Sequence, residues 1–128
     1  MFKNIARALL LFFTVFISSK VTAQDKTAAY YALIKRVIPQ RAENFVVEIL
    51  PDTTAKDAFE IESKASKIIL RGNNGVAVAS ALYYYLTEYC HCQITWNGVN
   101  LNLPVKLPDV PQKVVKKTPY NYRYYLNY

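Results

Sequence analysis

The sequence predicts a small α/β domain of α+β character: a sheet of about four strands with two helices packed on it. Three observations carry that prediction. Once an apolar leader is set aside, 105 of the 128 residues remain, enough for one modest domain and not two. Two segments, 25–37 and 76–89, repeat their apolar residues at helical spacing. Around them lie short β-branched and aromatic runs, each closed by Pro, Asn, Gly or Ser.

The leader comes first. Met1, Lys3 and Arg7 form a positive start, and Ala8 to Ile17 is an uncharged apolar run. Ser18 to Ala23 is more polar and ends Val21-Thr22-Ala23, with small residues where signal peptidase cuts. The run is about ten residues, short of the roughly 20 that span a bilayer. Residues 1–23 are therefore expected to be a cleaved signal peptide, and the mature chain to be exported (periplasmic, extracellular or lysosomal-type) without a permanent membrane anchor. Lys3, Arg7 and Lys20 leave with the leader, so 13 basic residues face 9 acidic ones and the net charge drops from +7 to +4. With that drop, and with no recognition motif in the chain, nucleic-acid binding loses its support.

The first helix, 25–37, places Tyr30, Leu33, Ile34 and Val37 on one face, with Asp25 or Thr27 as its cap and Pro39 as its stop. Phe45 to Leu50 is a strand before the Pro51-Asp52 turn. Asp57 to Ser63 alternates, sending Phe59 and Ile61 to one side and Glu60 and Glu62 to the other. Two carboxylates on one face can serve general acid–base chemistry. Period-2 alternation already explains them as a solvated outer face.

Lys67 to Arg71 is the next strand, and Gly72-Asn73-Asn74-Gly75 turns it into the second helix, capped by Asn74. A glycine-bearing strand–helix turn invites a phosphate cradle. Neither GxGxxG nor a Walker sequence is present, and no cofactor is expected. In the helix, Val78, Leu82, Tyr85 or Leu86, and Tyr89 form the inward stripe, and Ala77, Ala79 and Ala81 permit close approach to a sheet.

Cys90 and Cys92 flank the only histidine, His91. Partners two residues apart make a strained disulfide, and three adjacent residues do not converge on one metal. Buried free thiols and no metal site are expected. Gln93 to Trp96 and Val99 to Leu103 read as strands joined at an Asn97-Gly98 turn. From Pro104 the texture changes: Pro104, Pro108 and Pro111 mark an extended linker, 104–117, carrying Lys113, Lys116 and Lys117. Thr118 to Tyr128 again alternates like a strand.

Several of these segments resemble a known family. The run Lys67-Ile68-Ile69-Leu70-Arg71-Gly72-Asn73-Asn74-Gly75-Val76-Ala77 is similar to the strand–turn–helix in the N-terminal domain of the α-N-acetylglucosaminidases, glycoside hydrolase family 89. So are Tyr84-Tyr85-Leu86, the Cys90-x-Cys92 pair and the Trp96-x-Gly98 turn. The tail Thr118-Pro119-Tyr120-Asn121-Tyr122-Arg123-Tyr124-Tyr125-Leu126-Asn127 resembles the family's first catalytic-barrel strand. The likeness covers residues 26–128 and is strongest over 67–103 and 118–127.

The resemblance implies an accessory domain of hexosaminidase type over 24–103, a linker over 104–117, and over 118–128 the first strand of a (β/α)8 barrel that this sequence does not contain. Family members are retaining exo-enzymes that remove terminal α-linked N-acetylglucosamine from glycans, heparan-type chains included. Retention uses two carboxylates about 5–5.5 Å apart, which in the family are glutamates deep in the barrel. None of Glu43, Glu48, Glu60, Glu62 or Glu88 matches them, so no catalytic residue carries over. Asn127 does match, as the asparagine at the end of the first barrel strand that contacts the sugar. Active sites of such barrels gather at C-terminal strand ends, and an amide both donates to and accepts from sugar hydroxyls. The expected partners are the catalytic barrel of the same enzyme and, through it, the glycan substrate; the fragment alone is expected to be inactive. The competing expectation is a free-standing secreted glycan-binding module, using the tyrosines, Trp96 and the lysine cluster.

Overall fold

A computed structural model describes residues 22–51 and 56–120, which include neither the bulk of the leader nor Asn127. The elements in order are helix α1 (Thr22–Val37), a 3-10 helix (Pro39–Asn44), strands β1 (Phe45–Ile49), β2 (Ala58–Lys64) and β3 (Lys67–Gly72), helix α2 (Gly75–Glu88), and strands β4 (Gln93–Thr95), β5 (Gly98–Asn100) and β6 (Val114–Lys117). Four strands form one mixed sheet in the order β1-β3-β2-β6, with β1 parallel to β3 and the other two pairs antiparallel. β4 and β5 make a separate two-stranded ribbon.

Both helices lie on one face of the sheet. Phe45 and Val47 of β1, Ile61 of β2 and Ile68 and Leu70 of β3 point the same way by the register. They meet Ile34 and Ile38 from the α1 side and Val78, Leu82, Tyr85 and Leu86 from α2 in one buried cluster. Fully burying a side chain of that size contributes roughly 1.5–3 kcal/mol before entropy is set against it. The rings of Phe45 and Tyr85 meet edge to face, their centroids 5.5 Å apart. Tyr85 is wholly buried, and its hydroxyl donates to the Pro108 carbonyl at 2.7 Å, so that polar group is not stranded in the core.

The turn between β3 and α2 sets how closely helix and sheet approach. A Cβ on Gly72 would lie 2.7 Å from the Val78 backbone nitrogen and 3.0 Å from the Ala77 carbonyl carbon. The glycine is needed there for space rather than for an unusual backbone angle. Asn74 caps α2, its side-chain oxygen accepting from the Ala77 amide at 2.9 Å. Between β2 and β3 the chain reverses over Ala65 and Ser66, both at positive φ (49° and 61°). A two-residue hairpin demands that conformation, although Asn and Gly adopt it more easily.

Three readings shift in detail. α1 begins at Thr22, so Asp25 and Thr27 lie inside the helix instead of capping it. α1 ends at Val37, before Pro39 as expected, and after Ile38, whose backbone is not helical, a separate 3-10 turn opens with the proline at a first-turn position where its missing N–H costs nothing. The ribbon turns at Trp96-Asn97, one residue earlier than Asn97-Gly98, and Gly98 begins β5.

The largest shift concerns 104–117. This segment is extended as its prolines require, but it belongs to the domain: Val110 is buried in the core, its amide donates to Ser63 Oγ at 2.8 Å, and Val114–Lys117 is the edge strand paired with β2. The prolines all precede β6, and an edge strand needs only one hydrogen-bonded side.

Candidate functional site

Alternation along the strands sends a second set of side chains to the open face of the sheet, away from the helices. Glu48, Glu60, Glu62 and Arg71 are brought there by the β1–β3–β2 register. Arg71 is the hub. Its guanidinium donates to Glu62 at 2.6 Å, also bonds Glu48, and lies 3.7 Å from Glu60, which in turn pairs with Lys113 at 2.7 Å. The hydrogen bond from Arg71 holds the Glu62 carboxyl below the usual carboxylate range, and that same bond pushes the guanidinium higher still. Glu60 and Glu62 thus stand together on the outer face, as alternation predicts, each tied to a cation. Committed to those partners on an open sheet, they form a charge network rather than an acid–base pair aimed into a cleft.

The other sequence candidates are placed as follows. In the Gly72–Gly75 turn, Asn73 receives the Ala58 amide (3.1 Å) and donates to the Lys56 carbonyl (2.9 Å), while Asn74 donates to Asp57 (2.7 Å). These groups fasten the start of β2 to the helix start. Cys90 and Cys92 are free and buried, and His91 between them, at φ 54°, is exposed. The imidazole is therefore exposed where both sulfurs are buried. Burial pushes the Cys90 thiol up to about 11 and raises Cys92 as well, so neither is a ready nucleophile. Among the described residues no three His, Cys, Asp or Glu side chains are grouped to hold a metal ion, and no helix is long and apolar enough to cross a membrane.

Lys113, Lys116 and Lys117 are adjacent in sequence but not in space. Lys113 pairs with Glu60 on the open face, whereas Lys116 lies over the Tyr84 ring, 5.6 Å from its centroid. The strand pleat divides the cluster between two faces. Trp96 stands at the tip of the β4–β5 ribbon, 87% exposed. Asn127 lies outside the described residues.

One feature the sequence reading passed over is a cleft of ≈ 550 Å³ along the outer side of α2, between Val76, Ser80 and Tyr84 of the helix and Phe59 and Lys116 of the sheet. A neighbouring hollow of ≈ 490 Å³ extends it past Tyr83 and Thr87. A signal for it exists in the sequence: α2 carries a single ionisable acid or base of full charge, Glu88, in its last position.

The whole arrangement corresponds to a known domain. The family model for the α-N-acetylglucosaminidase (NAGLU) N-terminal domain matches residues 28–109. The chain belongs to that family. It is 37% identical over 107 residues to human α-N-acetylglucosaminidase, a stretch that takes in 80% of this chain and 14% of the human one. Among solved structures it superimposes on the family 89 glycoside hydrolase from Clostridium perfringens in complex with PUGNAc, with a TM-score of 0.77 and 36% identity over 90% of this chain and 14% of that one. The same Clostridium enzyme in complex with GlcNAc-α-1,4-galactose gives a TM-score of 0.74 at 35% identity. The chain therefore spans about 14% of the length of these relatives. In the NAGLU N-terminal domain, then, the Gly72 turn, the α2 stripe and the buried cysteines serve packing, and the groups left outward are the Arg71 network, Trp96 and the α2 cleft.

Proposed function

We propose that this chain is the non-catalytic N-terminal domain of an exported α-N-acetylglucosaminidase, an enzyme that removes terminal α-linked N-acetylglucosamine from glycans such as heparan-type chains, and that it supports the catalytic barrel. One observation carries the reading: the match is confined to a domain that makes up about 14% of the relatives. The chemistry agrees with it. A retaining glycosidase places two carboxylates about 5–5.5 Å apart across a sugar, whereas the clustered carboxylates of this domain are bound to Arg71 and Lys113 on an open face.

In this reading the catalytic glutamates belong to the barrel, and Asn127 contributes an amide to the sugar from the end of the first barrel strand. Export by the 1–23 leader brings the domain to the compartment where such glycans are degraded. The test is hydrolysis of an aryl α-N-acetylglucosaminide by the purified 128-residue chain. No turnover is expected; turnover by the chain alone would overturn the assignment.

A further inference from the structure

We infer that a hollow at the β2–β3 hairpin end of the sheet is a binding site for a singly charged sulfate ester carried by a sugar. The inference rests on the proposed function only for the carrier, a glycan; the pocket stands on the following geometry.

The hollow has a volume of ≈ 260 Å³, and its polar lining is Arg41, Asn44, Ser66, Lys106 and Asp109. Three separate parts of the chain supply these groups. Arg41 and Asn44 come from the 3-10 helix, Ser66 from the left-handed reversal between β2 and β3, and Lys106 and Asp109 from the extended segment before β6. That segment is anchored on both sides of Lys106. Arg41 Nη2 donates to the Val105 carbonyl at 2.9 Å, and the Tyr85 hydroxyl holds the Pro108 carbonyl at 2.7 Å. Lys106 stands exposed between the two anchors. Arg41 is half-buried, and the bond to Val105 leaves the rest of its guanidinium fork without a partner among the described residues.

The charges here are arranged unlike those of the open face, where each clustered acid is tied to Arg71 or Lys113. Among the described residues Arg41 and Lys106 form no ion pair, and Asp109 reaches neither of them although it lines the same hollow. A planar guanidinium, an ammonium, an amide and a hydroxyl therefore converge on one concavity with donors to spare. That is the donor set that takes an oxyanion. Arg41 and Lys106 against Asp109 leave one positive charge in the lining. Just outside, Lys67 donates to the Glu43 carbonyl at 2.7 Å, and the two residues add one charge of each sign, so the balance holds. One positive charge matches a sulfate ester and disfavours a phosphate monoester, which carries close to two negative charges at neutral pH. Asp109 also offers an acceptor to a sugar hydroxyl beside the anion. The hollow is smaller than the roughly 300–1,000 Å³ of a drug-sized pocket, which suits one sulfate group and part of the ring that bears it. It shares no residue with the α2 cleft. It lies at the opposite end of β2 from Thr118, whose amide is held by the Asp57 carbonyl.

The test is a titration of the isotope-labelled 128-residue chain with a monosulfated N-acetylglucosamine, followed by backbone amide shifts in NMR. Unsulfated N-acetylglucosamine, the corresponding phosphate ester and inorganic sulfate are titrated alongside. Saturable shifts are expected at Arg41, Asn44, Ser66 and Lys106 with the sulfated sugar and not with the unsulfated one. Arg41→Gln and Lys106→Gln should each weaken binding about tenfold or more, as the loss of a charge-assisted contact does. Neutralising Lys116 and Lys117, which lie elsewhere, should change it by less than about twofold, because distant surface charges are screened. Lys106 is exposed and makes no hydrogen bond or ion pair among the described residues, so K106Q decides the matter if R41Q does not fold. Asp109→Asn should tighten the phosphate ester about tenfold and erase the parent's preference for sulfate, since a like charge has been removed. Shifts scattered away from the hollow, or unchanged binding in K106Q and R41Q, overturn the pocket. Phosphate ester bound by the parent as tightly as sulfate ester overturns the assignment of a singly charged group. Inorganic sulfate matching the sugar ester overturns the sugar as carrier. None of these readings involves turnover, so hydrolysis of an aryl glycoside by the chain alone would sink the proposed function and leave the pocket standing.

Discussion

Two surfaces of this domain are left uncovered by the described residues, and they are built differently. The open face of the sheet brings together Val46, Ile69 and Val115 with three carboxylates and two cations linked through Arg71 and Glu60. The outer face of α2 offers Val76, Tyr83 and two internally bonded hydroxyls. The first surface is equipped to stay in water, since its apolar side chains lie among charges that favour hydration. The second is not. The difference teaches that the distribution of charge, more than the amount of surface left open, sets two exposed faces of one small domain apart.

The two surfaces share one constraint, the close contact of α2 with the sheet, and breaking it gives the largest expected effect. Gly72→Ala puts a methyl group 2.7 Å from the Val78 backbone nitrogen and 2.8 Å from its Cγ2. Backbone atoms of a capped helix start cannot swing aside as a side-chain end does, so the helix must shift. A loss of about 2–3 kcal/mol is expected, toward the upper end for an overpacked site, read as a lower urea midpoint at unchanged slope. A loss within measurement error would mean that α2 is held less firmly than its buried stripe implies.

The open face gives a smaller effect with a distinctive pH dependence. Arg71→Met removes the hub and leaves Glu48, Glu60 and Glu62 near one another with Lys113 alone. Exposed pairs contribute little singly, so a fall in Tm of a few degrees at pH 7 is expected. Its sign with pH follows from Glu62, whose carboxyl is held below its ordinary 4.5 by the Arg71 hydrogen bond. A depressed folded-state value means that the stabilisation is fully present above the unfolded carboxylate range and is lost as the pH falls through the lower folded value. Parent and variant should therefore converge in thermal melts as the pH falls below the ordinary carboxylate value of 4.5 and through the lower folded value. A gap that persisted there would show Arg71 acting through packing of its stem rather than through charge.

Most of the fold was legible because it is locally encoded. β1 and β3 are β-branched runs, β2 alternates strictly, and the Asn74 cap with its apolar stripe announces α2 within a residue. β6 was not legible, for a physical reason: Val-Val-Lys-Lys is too short to show a period, and its partner lies some 50 residues back in β2. Nothing local tells an edge strand from a linker when three prolines precede it. The lysine cluster misleads for a related reason, since adjacency in sequence becomes opposition across a pleat. The α2 cleft was half legible. The helical spacing that picks out Val78, Leu82 and Leu86 as inward also leaves Val76, Ser80 and Tyr83 outward, and their lack of charge needed a structure to turn it into a place.

The smallest expected effect sharpens the comparison most directly, using two tyrosines of one helix. Tyr85 lies fully buried with its hydroxyl bound to Pro108, whereas Tyr83, two residues earlier, is 43% exposed at the margin of the outer hollow. In the isolated chain, Tyr83→Lys exchanges one exposed side chain for another with good helix propensity, so stability should change by no more than about 0.5 kcal/mol. The charge should also reduce self-association in sedimentation velocity, because it interrupts the exposed apolar surface. The same substitution at Tyr85 places an ammonium group inside the core, where a buried unpaired charge is costly. A Tyr83 variant that is silent where the Tyr85 variant unfolds the chain separates the outward face of α2 from the face built for the fold. Equal destabilisation by the two variants would place Tyr83 in the core and remove the distinction between the two faces of α2.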